Sequence, residues 1–488
     1  MAVFYRKLFF WMFVVLFLAT TPMAVLYSQG YRFDQYKKIF IHSGSITVKS
    51  TPAGASIYLN GEMKPSSALD IINNSITVNG LRPGNYALKV SADGYGTWEK
   101  NVDVHSGVST EFWNVFLVPN DLSPTELKAD GVERYFPSPF GKNVAYFKKN
   151  DANLGIWSLA VKSNETTLIF SQSGFDFSND PLENIEWNSK ETLFIAPVVS
   201  EDKKDFVILD SEKNQESIFL SQMTNLSDIK DVRWNPSNQN EIYFSANSED
   251  GTHKNLYRMD LSTKKPEVIL EGVKAYDLSG SSMYYLRQND VVYKSDLDGF
   301  NEEQLIFTPI SFSQPDEKIR IIAYDDDRQA IISQNGELYV HNNGETTGNT
   351  LKKVTDVAKS VQFSNDGKKL LYWSDNEIYV LYLRKWDVQP RRDENEIQQI
   401  VRFSAPIKNV FWYRDYEHIF FSAQNAVKII ELDSRDHRAL EDIFKYSSDE
   451  FSSSYDSANG IFYYTDESSG TKKLFYLYIP EQTSFFGG

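Results

Sequence analysis

Six histidines are the residues best suited to proton transfer or metal ligation near neutral pH, and they are scattered: His42, His105, His253, His341, His418 and His437. No two stand in the His-x-x-x-His spacing that puts both rings on one helix face around zinc. His341 and His418 fall on or beside strand-like apolar runs, so they read as hydrogen-bonded core histidines. The chain has no cysteine, which excludes disulfides, thiolate metal sites and cysteine nucleophiles. There is no Gly-x-Ser-x-Gly nucleophile elbow and no Gly-rich phosphate loop. The densest acidic run, Asp325-Asp326-Asp327, offers oxygens that a hard cation such as Ca²⁺ would accept. Between two strand-like segments it reads instead as a solvated turn. Arg391-Arg392, inside the polar stretch WDVQPRRDENE (386–396), could meet an anionic partner, but the stretch reads first as an exposed loop. The expectation is therefore no catalytic, cofactor-binding or metal-binding residue, no cofactor and no enzymatic activity.

Composition narrows the class. At 488 residues the chain exceeds one small core, and more than one domain is expected. A formal charge of −16 would repel a phosphate backbone, so nucleic acid is excluded as a partner. Aromatic residues reach 14%, with 28 Tyr and 33 Phe, which favours strands, where rings fit the pleated surface. The lack of cysteine in a chain of this size leans towards a bacterial origin.

The N-terminal stretch 8–26, LFFWMFVVLFLATTPMAVL, carries no charge and is long enough to cross a hydrocarbon core as a helix. Arg6 and Lys7 precede it, which places 1–7 in the cytoplasm and everything after 26 outside. The run is long for a signal peptide, and Pro22-Met23-Ala24 makes a poor cleavage site, so an uncleaved signal anchor is expected. Residues 27–44 read as a solvated juxtamembrane linker.

From 45 to 118 short strands alternate with strong turns. Ser56-Ile57-Tyr58-Leu59 closes on Asn60-Gly61, a hairpin signal, and Leu81-Arg82-Pro83-Gly84-Asn85 turns into Tyr86 to Val90. A small β-sandwich-like module follows from this pattern. With Pro52-Ala53-Gly54-Ala55, Ile57 to Gly61, Leu81-x-Pro83-Gly84-x-Tyr86, Gly94-Tyr95 and Trp98, the stretch resembles the PEGA domain, an extracytoplasmic module of bacteria and archaea. The motif that names the family has Glu where this chain has Ala53. The resemblance implies surface-exposed binding or spacing rather than catalysis.

After a linker at 119–123, one unit recurs from 124 to 480, leaving 481–488 as a tail. Its clearest copy is Val361 to Leu383: Val361-Gln362-Phe363-Ser364, a turn at Asn365-Asp366-Gly367, then Leu370 to Trp373, a second turn and Ile378 to Leu381. First strands also appear at Tyr135, Ile185 to Asn188, Val232 to Asn235, Ala275 to Asp277, Ile321 to Tyr324, Val410 to Tyr413 and Ser454 to Asp456. Outer, fourth strands are visible at Thr167 to Phe170, Glu267 to Leu270 and Gln399 to Phe403. A period of roughly 40 to 50 residues with four strands per unit predicts a β-propeller, since stacked sheets cover faces that one sheet leaves open. Eight blades are counted, with seven as the alternative. Pro124 to Lys128 lies where an outer strand is missing and is expected to close the ring on the last blade. The Ser-Asn-Asp-Gly-Lys turn and Leu371-Tyr372-Trp373 resemble repeats of Tol-type and WD-repeat-like bacterial propellers.

Anchor, PEGA-like module and propeller together resemble membrane-anchored proteins of bacterial envelopes. The expected function is binding at the cell envelope: the membrane held through the N-terminal helix, and a protein, peptide or cell-wall glycan recognised by the propeller. A propeller glycoside hydrolase or lyase with paired carboxylates at its mouth, and a structural spacer without a ligand, are the alternatives.

Overall fold

A computed structural model describes the chain except residues 1, 35–37, 66–74, 151–152, 179–184, 202, 214–217, 225, 315–317, 469 and 480–488. The tail expected at 481–488 therefore lies outside the described residues. Helix α1 spans Ala2–Ser28 and runs unbroken through Pro22. Residues 4–28 of it are apolar and long enough to cross a membrane, and none of its most apolar window is buried against the rest of the protein.

Two strands form within the stretch expected to be a plain linker at 27–44. Strand β1 (Tyr31–Asp34) pairs antiparallel with β2 (Ile39–His42), Phe33 opposite Phe40 and Tyr31 opposite His42. Alternating aromatic residues on the pleat give this hairpin its cross-strand ring contacts, which a reading by overall polarity overlooks.

The small domain stacks two sheets. Strand β3 (Gly44–Thr51) lies between β6 (Ile76–Leu81), antiparallel, and β9 (Ser109–Phe116), parallel. The second sheet has the order β5 (Glu62–Lys64), β4 (Ser56–Leu59), β7 (Gly84–Ser91), β8 (Thr97–Val104). Ile46, Val48, Ile57, Leu59, Leu88, Val90, Trp98 and Phe112 fill the space between them. Asn60 and Gly61 both have positive φ, the conformation a tight two-residue hairpin demands.

Eight further sheets make the propeller. In blades 1 to 7 the strands run in sequence order, for example Ser360–Phe363, Lys369–Trp373, Glu377–Tyr382 and Ile397–Arg402 in blade 6. Blade 2 is irregular, because Asp176–Phe177 and Glu186–Trp187 both pair with Leu193–Ser200. The first strands of consecutive blades adjoin, as Val273–Ser279 and Ile319–Asp325 do, so they surround the axis. Second strands are the most buried: His418–Ala423 is covered along its whole length. Fourth strands are half-exposed, as in Gly348–Thr355 and Leu440–Lys445. Blade 8 takes Ser452–Asp456, Ile461–Ser468 and Thr471–Tyr478 from the C-terminal end and Thr125–Asp130 as its outer strand. Thr125 pairs with Tyr476 and Glu126 with Phe475, so the ring closes through a strand some 350 residues away in sequence. The blade 6 turn needs its glycine twice over: Gly367 has φ 64°, and a Cβ there would collide with the Tyr324 ring of blade 5.

Antiparallel order divides the connections between two ends of the ring. Turns joining first to second and third to fourth strands lie at one end. Turns joining second to third strands, and the crossings from blade to blade, lie at the other.

Candidate functional site

The axial strands carry a side-chain acceptor at a recurring position. Glu186 of blade 2 accepts the Trp234 backbone N–H of blade 3 at 2.9 Å, and the Glu186 carbonyl accepts the Trp234 indole N–H at 2.9 Å. Gln362 of blade 6 repeats both bonds with Trp412 of blade 7, at 3.3 and 3.1 Å. Asp277 of blade 4 accepts the Ala323 backbone N–H of blade 5 at 2.9 Å. In blades 2, 4 and 6 a side-chain oxygen thus staples the next blade at the axis. Arg233 donates to Glu186 at 3.2 Å, and burial pushes the Glu186 and Asp277 carboxyls up against the pull of that arginine. These acidic groups are committed to the ring before any substrate arrives.

The second site joins the two domains. Strand β8 alternates with period two, and its buried stripe is Trp98, Lys100, Val102 and Val104. A lysine in an apolar register needs a partner, and Lys100 Nζ meets Glu431 at 2.5 Å and donates to the carbonyls of Asp433 and Arg435 at 3.0 Å each. Trp98 Nε1 donates to the other Glu431 oxygen at 3.0 Å. Around this centre Asn101 N donates to Asp436 at 2.8 Å, and Arg435 stacks 3.9 Å over the Phe112 ring while donating to the Glu111 carbonyl at 2.6 Å. Phe116 packs at 5.2 Å on Tyr413 and at 5.8 Å on His418. The linker at 119–123 is held too, with Leu122 packed against the blade 7 and 8 core.

The stretch 386–396 of blade 6, read above as an exposed loop, is part of this junction. Trp386 and Arg392 form a backbone bridge, and Lys369 Nζ lies 4.0 Å from the Trp386 ring centre. Gln389 donates to the Ser109 carbonyl at 2.9 Å and accepts from Glu111 N at 3.2 Å. Glu394, nearly covered, accepts the backbone N–H groups of Glu345, Thr346 and Thr347. Its charges read as solvent-facing because their partners sit about 50 residues earlier or in another domain. Arg392 reaches Ser434 at 3.0 Å rather than an outside anion.

Every propeller segment in the junction is a first-to-second or third-to-fourth turn. The opposite end carries a groove of about 890 Å³. Its walls are the second-to-third turns of blades 5 and 6 (Gln334, Asn335; Ser374, Asp375, Asn376) and the crossings 357–359 and 402–404. Charge pairs line it: Lys359 with Asp375 at 3.3 Å and Arg402 with Glu377 at 3.6 Å. Asn376 donates to the Phe403 and Ala405 carbonyls at 3.1 and 3.3 Å, which fixes the crossing to blade 7. Val357 is 58% exposed, and Phe403, also on the wall, is half-buried. This wall offers charges of both signs, amides and two apolar patches.

The residues singled out in sequence do not come together. His341 is buried, with Nδ1 on Gln329 and Nε2 on Asn349 at 3.0 Å, and burial lowers its pKa. His418 is buried against Asp415 at 2.7 Å. Each carboxylate of the acidic turn has its own partner: Asp325 binds Arg328, Asp326 binds Lys294 at 2.5 Å, and Asp327 takes Asn343 at 2.8 Å. No cluster of His, Asp and Glu among the described residues has metal-ligand grouping. Sequence reading missed Lys100, Glu431 and Gln389. Lys100 alone left a signal, as a charge in the buried register of TWEKNVDV.

Residues 43–116 match the PEGA domain. No curated protein matches the chain in sequence. Among solved structures it is similar to the C-terminal WD40 domain of Sif2, at 13% identity and TM-score 0.47 over 73% of this chain and 99% of that one. It is also similar to an oligogalacturonate lyase from Vibrio parahaemolyticus, at 12% identity and TM-score 0.40 over 74% and 92%. The Cps50 (Swd1) propeller of Myceliophteria thermophila matches at 11% identity and TM-score 0.41 over 73% and 99%. The chain therefore carries a PEGA domain seated on one end of an eight-bladed β-propeller.

Proposed function

We propose that this protein is a membrane-anchored binding protein of the bacterial cell envelope, and that its ligand is held in the groove over blades 5 and 6. One observation carries the reading: the PEGA domain covers one end of the ring, and the lined groove opens at the other. The helix and the PEGA domain hold the first end towards the membrane, so the groove faces away from it. The extracytoplasmic setting rests on Arg6 and Lys7 before the helix and on the PEGA resemblance. Paired charges, amides and the apolar side chains of Val357 and Phe403 suit a polymer with polar and apolar parts, a peptide segment or a cell-wall glycan. Binding rather than catalysis is supported by Glu186 and Asp277, axial carboxylates that already serve as blade staples.

The test is binding of peptidoglycan fragments and envelope-derived peptides to the full chain in detergent micelles. Retention should fall at least tenfold in D375K/E377K, where charge at the groove is inverted, and should be unchanged in D436N at the opposite end. Equal binding by both variants would remove the groove from the function. Turnover of the glycan would replace binding by catalysis.

A further inference from the structure

We propose that the β1–β2 hairpin is a second membrane contact, whose aromatic face lies in the interfacial layer of the bilayer that α1 crosses. The proposal rests on the anchor reading of α1 and goes beyond it, because it concerns how the outer domains are held, not whether they are tethered.

Pairing in the hairpin puts Tyr31, Phe33, Phe40 and His42 on one face of the pleat. Tyr31 and His42 make an edge contact at 4.9 Å, and Phe33 and Phe40 another at 5.3 Å. The outer pair is left uncovered, with Phe33 48% and Phe40 41% exposed. No protein element covers this end among the described residues, although a two-stranded ribbon that buries nothing is marginal in water. Its occupant follows from where the chain has just been. Only Gln29 and Gly30 separate the last turn of α1 from β1, so the hairpin begins where the helix leaves hydrocarbon. Aromatic rings are enriched at that depth.

The hairpin is not free to swing away. Arg32 stacks 3.7 Å over the Tyr27 ring and donates to the Tyr27 carbonyl at 3.0 Å, which ties β1 to the helix end. Ser43 N donates to the Gly30 carbonyl at 2.9 Å, and Ser106 Oγ to the His42 carbonyl at 3.0 Å, which tie it to the PEGA domain. Helix, hairpin and PEGA domain are thus bonded in series, and the PEGA domain is bonded in turn to blade 7. A hairpin lying in the interface therefore sets the tilt of the whole propeller over the membrane.

The absence of cysteine makes the test direct. F33C, F40C, L16C and V268C variants of the full chain, each carrying one environment-sensitive fluorophore, are reconstituted in phosphatidylethanolamine–phosphatidylglycerol vesicles containing quencher-labelled lipids. Labels at 33 and 40 should emit blue-shifted light and lose intensity with quenchers placed near the headgroups. The label at 16 should lose it with quenchers deep in the acyl chains, and the one at 268, on an outer strand, with neither. Deep quenching at 16 with labels 33 and 40 behaving like 268 overturns the hairpin contact and leaves the anchor standing. No quenching at 16 overturns the anchor, and the hairpin contact with it. Disulfide-linked dimers of unlabelled F33C, formed in the vesicles on addition of a thiol oxidant, would assign the face to a second copy, and also overturn it. Positions 33 and 40 are separately exposed, so misfolding of one variant, read from its unfolding transition, leaves the other to decide.

Discussion

Lys100 of the PEGA domain and Glu431 of blade 7 form an ion pair of 2.5 Å with side chains 0% and 5% exposed, 331 positions apart in the chain. Charges removed from water this completely must be matched by partners, and here each is: the ammonium also reaches two carbonyls, and the carboxylate also takes Trp98 Nε1 and Ala439 N. Replacing one partner leaves the other charge buried and alone. K100M is expected to lower stability by about 3–5 kcal/mol and to expose the linker at 119–123 to protease. K100M/E431Q should recover part of the loss, since Gln removes the buried charge but keeps an acceptor for only one of Trp98 Nε1 and Ala439 N. Chemical denaturation of the three proteins, with limited proteolysis, measures both effects.

His418 gives the same junction a pH dependence. Burial lowers its pKa, but Asp415 at 2.7 Å, with Glu431 and Glu417 nearby, outweighs burial and the net shift is upward. A raised histidine stabilises the fold fully below its unfolded pKa of about 6.5, and that contribution is lost as pH rises through the folded value. Asp415 is shifted downward, burial being overcome by His418, so its share is present above the unfolded carboxylate pKa and is lost in acid as pH falls through the depressed value. Stability from this pair is therefore greatest between the two. Melting temperatures from pH 6 to pH 9 should fall more steeply for the native chain than for H418Q, which keeps a donor to Asp415 but cannot titrate. Parallel slopes would show that the imidazole carries no linked proton.

The axial staple makes a prediction about chemistry at one position. Gln362 does between blades 6 and 7 what Glu186 does between blades 2 and 3, so the shared requirement is an acceptor, not a charge. E186Q should keep the bond to Trp234 N and fold with a modest loss from the missing pairing with Arg233. E186L leaves a backbone donor unpaired and should cost about 1–3 kcal/mol more. W234F removes the indole bond, worth about 1 kcal/mol, and adds the cost of the cavity that the smaller ring leaves in the core. Urea titrations separate the three, and equal losses in E186Q and E186L would show that the charge itself matters.

What the sequence revealed follows from what each strand buries. Second strands such as Leu370 to Trp373 and Ile419 to Phe421 are apolar runs because both faces are covered, and their period exposed the ring. Fourth strands face water on one side. Gly348–Thr355 (GNTLKKVT) and Leu440–Lys445 (LEDIFK) therefore escaped notice, as did the two-residue strands Ile218–Phe219 and Glu303–Gln304. The closing strand was legible because an edge left unpaired has to be filled. The junction was not, since Lys100, Gln389, Glu431 and Arg435 are ordinary surface letters until the domains meet. The groove was equally hidden: two turns from neighbouring blades and two crossings form it, and no single segment carries its pattern.

Closure of the ring predicts where unfolding starts. Leu127 and Ala129, on the outer strand of blade 8, are buried against Leu474, Ile461 and Val144, and they reach blade 8 from the opposite end of the propeller sequence. This pairing has the longest loop in the fold, so it carries the largest closure entropy of any sheet in the ring. L127A removes buried methyl groups and should cost about 2–5 kcal/mol. The loss should be local before it is global. Hydrogen exchange in 125–130 and 471–478 should accelerate together in L127A, while the second strands of blades 4 and 5 keep their protection. Uniform acceleration across all blades would mean that the ring unfolds as one unit and that its clasp is no weaker than its staves.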